Sequence, residues 1–190
     1  MPNNIRERFR NFRSKQFQIL EIQQLQTELL TESTLDSSYL ILIVGSCAIA
    51  TFGLLANSAA VIIGAMIVAP LMLPIRGLAF GALQGNIALF RKGLIALTVG
   101  TLLAVLMAWG LGMLVRLPSY GSEILARSEP NLLDLGIAVA AGGISGYAKV
   151  EPKISGSLAG TAIAVALMPP ICVIGLSLSQ ANWSLSIGAT

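Results

Sequence analysis

The chain has 190 residues, 55% of them hydrophobic and 11% charged, with a net charge of +3. A soluble domain carries about 25% charged residues, so composition excludes a soluble enzyme and points to a polytopic, all-α membrane protein. The mean hydropathy of +0.79 agrees, and the pI near 9.1 reads as membrane-flanking charge, not as a nucleic-acid surface.

Charge is concentrated at the start, with ten of 21 charged residues in the first 36 positions. Residues 5–30 read as a helix, because Ile19, Ile22, Leu25 and Leu29 recur at helical spacing. Before them Arg6, Arg8, Arg10, Arg13 and Lys15 interleave with Phe9, Phe12 and Phe17. Two readings stand: a helix on the membrane surface with its basic part at anionic lipid headgroups, or a helix packed on a partner subunit. Met1–Lys15 has no short apolar region with a cleavage site, so no signal peptide is expected. Thr31–Ser38 is a polar linker rich in capping residues. The chain thus divides into a basic amphipathic helix and linker (1–37) and a transmembrane domain (38–190).

A hydrocarbon core about 30 Å thick takes roughly 20 apolar residues as helix. The first span covers Tyr39–Ala56, and Asn57 with Ser58 marks a tight turn. The second run, Ala59–Leu83, contains Pro70, Pro74 and Arg76 and is expected to break in the middle. Gly85–Lys92 reads as a loop, Gly93–Val115 as the third span, and Leu117–Asn131 as a longer polar loop. The fourth span, Leu132–Ala148, is glycine-rich, and its Gly142 and Gly146 permit close helix approach. Lys149–Lys153 is a loop, and the fifth run, Ile154–Ser179, is expected to break at Pro169-Pro170. Gln180–Trp183 is interfacial. With the N-terminus in the cytoplasm, nine Lys/Arg fall on the cytoplasmic side and two, Arg116 and Arg127, on the other.

The most informative pattern is a repeat. Gly64–Asn86 laid on Gly160–Asn182 without gaps matches at eight of 23 positions. The matches include Gly64 with Gly160, Pro74 with Pro170, Gln84 with Gln180 and Asn86 with Asn182. Each copy is the middle of a unit of a plain helix, a Pro-broken helix and a third helix. The units cover about 38–116 and 132–190, and the third helix of the second would begin near Ser186. Three spans per unit invert the second unit relative to the first, an architecture that frames midplane sites in transporters.

Backbone groups freed at a break are tolerated only where protein or a water-filled cavity covers them, so they can serve a solute. Pro70, Pro74, Arg76, Pro169, Pro170 and Cys172 are therefore candidate substrate-binding residues. Arg76 is either the cation of an anion site or an interfacial residue. Asn57, Gln84, Asn86, Gln180 and Asn182 are candidate mouth-lining residues, or helix caps, the simpler reading. Asp134 suits a helix N-terminus. Cys47 and Cys172 read as small buried hydrophobes, not as a disulfide framework. With no histidine and no carboxylate inside the spans, no catalytic residue, metal, cofactor or enzymatic activity is expected.

The stretches IIGAMIVAPLMLPIRGLAFGAL and GSLAGTAIAVALMPPICVIGLSLSQANW resemble the uncharacterised hydrophobic-domain family, domain of unknown function number 389. The resemblance covers about residues 38–190. It implies a multi-pass protein of a prokaryotic inner membrane and supplies no substrate; family members often have more N-terminal sequence, and with only the short basic helix here a soluble regulatory domain is not expected. LSLSQANWSL resembles cyanobacterial members, for which the thylakoid would be a second location. The expected function is a small-solute transporter or channel, with an anion as the candidate solute. The alternative is a structural or assembly subunit that packs as a homo-oligomer or on another membrane protein.

Overall fold

The computed structural model describes residues 22–115, 120–128, 132–150, 156–180 and 187, with the backbone alone for 145, 148–150 and 156–166. The basic stretch Arg6–Lys15, Arg116, Lys153, Asn182, Trp183 and the helix start near Ser186 lie outside the described residues. Those described form α1 (residues 22–32), α2 (Ser37–Leu55), α3 (Ala59–Val68) and α4 (Met72–Gln84). They continue as α5 (Ile87–Leu114), α6 (Ser122–Ala126), α7 (Leu132–Val150) and α8 (Gly156–Ser179). The fold is all-helical.

Helix α2 starts where Asp36 accepts a hydrogen bond from the Tyr39 amide at 2.8 Å, an N-cap that satisfies one free donor. It ends at the expected turn, where Asn57 takes a left-handed φ of 51°, a conformation asparagine tolerates better than most residues. Helix α3 then returns along α2. Gly53 makes room for it, since a Cβ there would sit 2.9 Å from Ile62 Cγ1.

The expected first break is present. Helix α3 stops at Val68, Ala69 is extended (φ −64°, ψ 121°), and α4 leaves at a bend of 54°. Pro70 supplies no N–H to the turn before it, and the residue ahead of a proline disfavours helix. Pro74 falls in the first turn of α4, where an amide needs no intrahelical acceptor.

Three expectations are corrected. Gly85–Lys92 is not a loop: Gly85 closes α4 at φ 66°, Asn86 caps α5 through the Leu89 amide, and α5 begins at Ile87. The 117–131 stretch is not all loop, because it contains α6. The second proline pair does not break its helix; Pro169 and Pro170 lie inside α8. Adjacent prolines remove donors from a single turn, to the carbonyls of residues 165 and 166. At the first pair the chain is instead interrupted at the extended Ala69 ahead of Pro70, and Pro74 falls in the first turn of the helix that follows.

Helix α5 is the spine. Its buried residues Gly93, Ala96, Gly100, Ala104, Ala108 and Gly112 form a small-residue stripe at almost strict i,i+4 spacing. Gly93 lies against Pro74 O and Leu78, with 2.7 Å from its would-be Cβ to that carbonyl. Gly81 likewise meets Phe90, so α4 runs antiparallel to α5. On the other side Tyr39 lies at Gly100, Cys47 at Ala104, Gly175 at Ala108, and Ser179 at Gly112. Helices α2 and α8 therefore run parallel to α5. It follows that α3–α4 and α8, the repeat-related segments, run in opposite directions.

Among the described residues, two helices, Ser37–Leu55 and Ile87–Leu114, are long and apolar enough to cross a membrane, and the bent pair α3–α4 makes three if it is one span. Many large apolar side chains face outward, such as Ile41, Phe52, Ile67, Leu102 and Leu106, as a lipid-facing belt requires. Helix α7 packs on α8 and leaves most of its apolar side chains exposed. Leu132, Leu133, Leu135 and Val139 are exposed, and Ala141 is buried against Met72 and Ile75 of α4.

Candidate functional site

The site is built where α2, α5 and α8 pass one another. Helical spacing puts Ile43, Ser46, Cys47, Ala50, Thr51 and Leu54 on the buried face of α2. The small stripe of α5 lets that face approach closely enough for side chain to meet backbone. Cys47 Sγ donates to Ala104 O at 3.1 Å and lies 3.5 Å from Cys172 Sγ. The Thr51 hydroxyl stands 3.9 Å from Cys47 Sγ. One proton order satisfies all of these contacts: Cys172 donates to Cys47, and Cys47 donates to Ala104. Two turns toward the start of α2, the Tyr39 hydroxyl donates to Ala96 O at 3.0 Å.

This layer is deep and polar. Cys47 is the eleventh residue of α2, about 15 Å along it, half the depth of a hydrocarbon core of about 30 Å. Ser46, Cys47, Thr51, Cys172 and Ser177 are all 0% exposed. Among the described residues, Ser177 Oγ finds no hydrogen-bond partner, and neither does the Tyr120 hydroxyl packed at the edge of the core. The seam thus holds polar atoms that the apolar packing around it does not require.

The two proline segments enter the same region. Ala69 and Leu71 at the first break share one buried cluster with Met168, Ile171 and Cys172 of α8. Pro70 and Pro169 are buried and Pro170 is half-buried. The remaining candidates are elsewhere. Pro74 lies against Gly93, eleven residues (about 16 Å of helix) before Ala104. Arg76 is half-buried, and its neighbour Gly77 faces Ser33 and Leu89. It stands beside the link that precedes α2 and interacts within the fold; it does not reach the sulfur layer. Leu29 and Ser33 are also buried, so the end of the first helix and its link dock on this chain itself.

Two of the mouth candidates act as caps. Asn86 caps α5 at 3.1 Å. Asn57 Oδ1 accepts from the Glu123 amide at 2.9 Å and its amide reaches Ser122 Oγ at 3.2 Å, so it caps α6 from another part of the chain. Gln84 is exposed and Gln180 half-buried. Sequence reasoning missed the apposition of Cys47 and Cys172, which lie 125 residues apart. It also passed over the α5 stripe, whose i,i+4 pattern was readable, in favour of Gly142 and Gly146. Those two have open space within 4 Å.

Spanning-length apolar helices gathered on a small-residue spine are the construction of a polytopic helical membrane protein. The chain belongs to the family described as a domain of unknown function, DUF389, which matches residues 66–190. It is similar to the uncharacterised protein MJ0678 of Methanocaldococcus jannaschii, 26% identical over 144 residues. That match covers 76% of this chain and 45% of the relative, so the chain spans less than half the relative's length. No solved structure matches.

Proposed function

We propose that the protein passes a small solute, an anion by preference, across a prokaryotic inner membrane, with the N-terminus in the cytoplasm. The carrying observation is that Ala69 and Leu71 at the first break share one buried cluster with Met168, Ile171 and Cys172, on segments that run in opposite directions. Inverted repeats place solute sites at such junctions. Helix α4 begins at Met72, beside this region, and helix N-termini favour negative charge, although the Leu73 amide is taken by Pro70 O and Pro74 has no N–H. Ser46, Thr51 and Ser177 continue the polar seam along the bundle axis, and Arg76 stands near the cytoplasmic end of the route. The seam is closed here, with Leu71 and Met168 at most 1% exposed. Passage therefore requires α8 to shift against the break, and the interrupted turn at Pro169-Pro170 is where such a shift costs least.

The test is flux into sealed liposomes, with a panel of inorganic ions and small organic anions. Protein-dependent anion flux is expected, reduced several-fold in Arg76→Ala and Pro170→Ala. Folded protein that moves nothing across the panel overturns the reading.

A second reading, a structural or assembly subunit, is favoured by α7. Open space surrounds Gly136, Gly142, Gly143 and Gly146, and exposed glycines on an apolar helix suit packing against another helix. Self-association lost in Gly142→Leu, together with absent flux, would select this reading. Anionic lipid at the basic N-terminal stretch is compatible with both.

A further inference from the structure

We propose that Cys47 and Cys172 are an oxidant-responsive dithiol, a modification site at which peroxide-class oxidants join α2 to α8 by a disulfide. The inference is independent of solute transport.

The geometry carries it. Both thiols are free, fully buried, and 3.5 Å apart on neighbouring parallel helices. An S–S bond is about 2.0 Å, so the sulfurs must close by about 1.5 Å, within reach of side-chain rotation and a small helix shift. The chain has no other cysteine to compete for either sulfur. The hydrogen bond from Cys47 to Ala104 O already turns that side chain into the seam. Losing it leaves no orphan, because Ala104 O remains a helix acceptor for the Ala108 amide.

The environment selects this chemistry over metal capture. A soft cation would need both thiols as thiolates, and a monovalent metal held by two thiolates keeps a net negative charge. Neither α2 nor α8 has a charged residue, and Arg91 and Lys92 of α5 are at least twelve residues from Ala104. An uncompensated charge at that depth is costly. The disulfide is neutral. In the balanced reaction one thiol is oxidised by hydrogen peroxide to a sulfenic acid with release of water. The second sulfur then displaces the hydroxyl group as a second water, forming the S–S bond; two thiols and one peroxide give one disulfide and two waters. Burial makes the first step slow, and it makes the product equally hard to reduce.

The bond would tie α8 to α2 three residues beyond Pro169, at the point where α8 is least held by its own hydrogen bonds. Oxidation therefore acts on the relative freedom of the two repeats, whatever the protein carries.

The experiment treats the full chain in lipid nanodiscs with hydrogen peroxide, then unfolds it in detergent with an alkylating reagent. Wild type is expected to lose both reactive thiols, to lose two hydrogens in intact mass, and to yield one crosslinked peptide containing Cys47 and Cys172. Dithiothreitol should restore both thiols. The crosslinked form should unfold about 5–10 °C higher, as a long closed loop predicts. Cys47→Ser and Cys172→Ser should each form no intramolecular link. Two outcomes overturn the proposal: both thiols still alkylated after treatment, or each sulfur gaining oxygen separately without a crosslinked peptide. The mass readout does not depend on flux, so failure here and failure of transport are separate results.

Discussion

Asn57 Oδ1 accepts a hydrogen bond from the Glu123 amide at 2.9 Å, joining the α2–α3 turn to the first turn of a helix 66 residues later. Helix α6 needs this, because its own N-cap position is Gly121, which has no side chain to offer. The close fit is mutual: a Cβ on Gly121 would lie 2.6 Å from Asn57 Oδ1. Asn57→Ala should lose the cap and strain the left-handed turn, costing about 0.5–2 kcal/mol. Asn57→Asp should keep most of the stability. Hydrogen exchange at the Glu123 amide is the direct check, since it should speed up in the alanine variant alone.

The α5–α8 contact should be intolerant of added bulk. A Cβ on Gly175 would lie 2.6 Å from both Ala108 Cβ and Val105 O. One of those atoms is backbone and cannot swing aside. Gly175→Ala should destabilise by about 1–3 kcal/mol. Gly110→Ala, on the same helix pair but with nothing within 4 Å, should be neutral or slightly stabilising. Thermal unfolding of both variants in one detergent reads the contrast.

Tyr39→Phe removes the hydroxyl that reaches Ala96 O. That carbonyl keeps its helical partner, so no acceptor is orphaned, and the expected loss is about 0.6 kcal/mol, typical of interhelical hydrogen bonds in membranes. A loss of several kcal/mol would mean that the hydroxyl also anchors packing around Gly100.

Pro170→Ala restores a donor to the interrupted turn of α8. If that turn permits α8 to shift, the variant should be more stable and transport less, by several-fold in liposome flux. Gain of stability with unchanged flux would separate the proline from the motion.

Much of the architecture was legible because it is local. The Asn57-Ser58 turn, the break at Pro70 and the span of α2 each follow from residues within a few positions. The Gly85-Asn86 turn was legible too, since glycine followed by asparagine is a helix stop followed by a helix start, although the loop was read as running on to Lys92. Helix α6 could not be found that way, because its cap comes from Asn57. Pro169-Pro170 misled for a physical reason: a proline deletes donors but does not dictate whether neighbours hold the helix together. The site divided in the same manner. Ala69 and Leu71, which flank Pro70, come to one cluster with Cys172, but Arg76 is held at the α1–α2 link by the docking of Ser33 on Gly77, a contact with no trace in spacing or composition.

The sulfur layer draws on residues 47, 104 and 172, and this sets an order of events at the ribosome. Helices α2 to α5 are made first, and Ala104, Ala108 and Gly112 of α5 then still lack the α8 residues that cover them. Those arrive with α8, after more than forty further residues have been synthesised. A chain halted before Gly156 would hold α2 to α5 packed on one another with one side of the seam unclaimed.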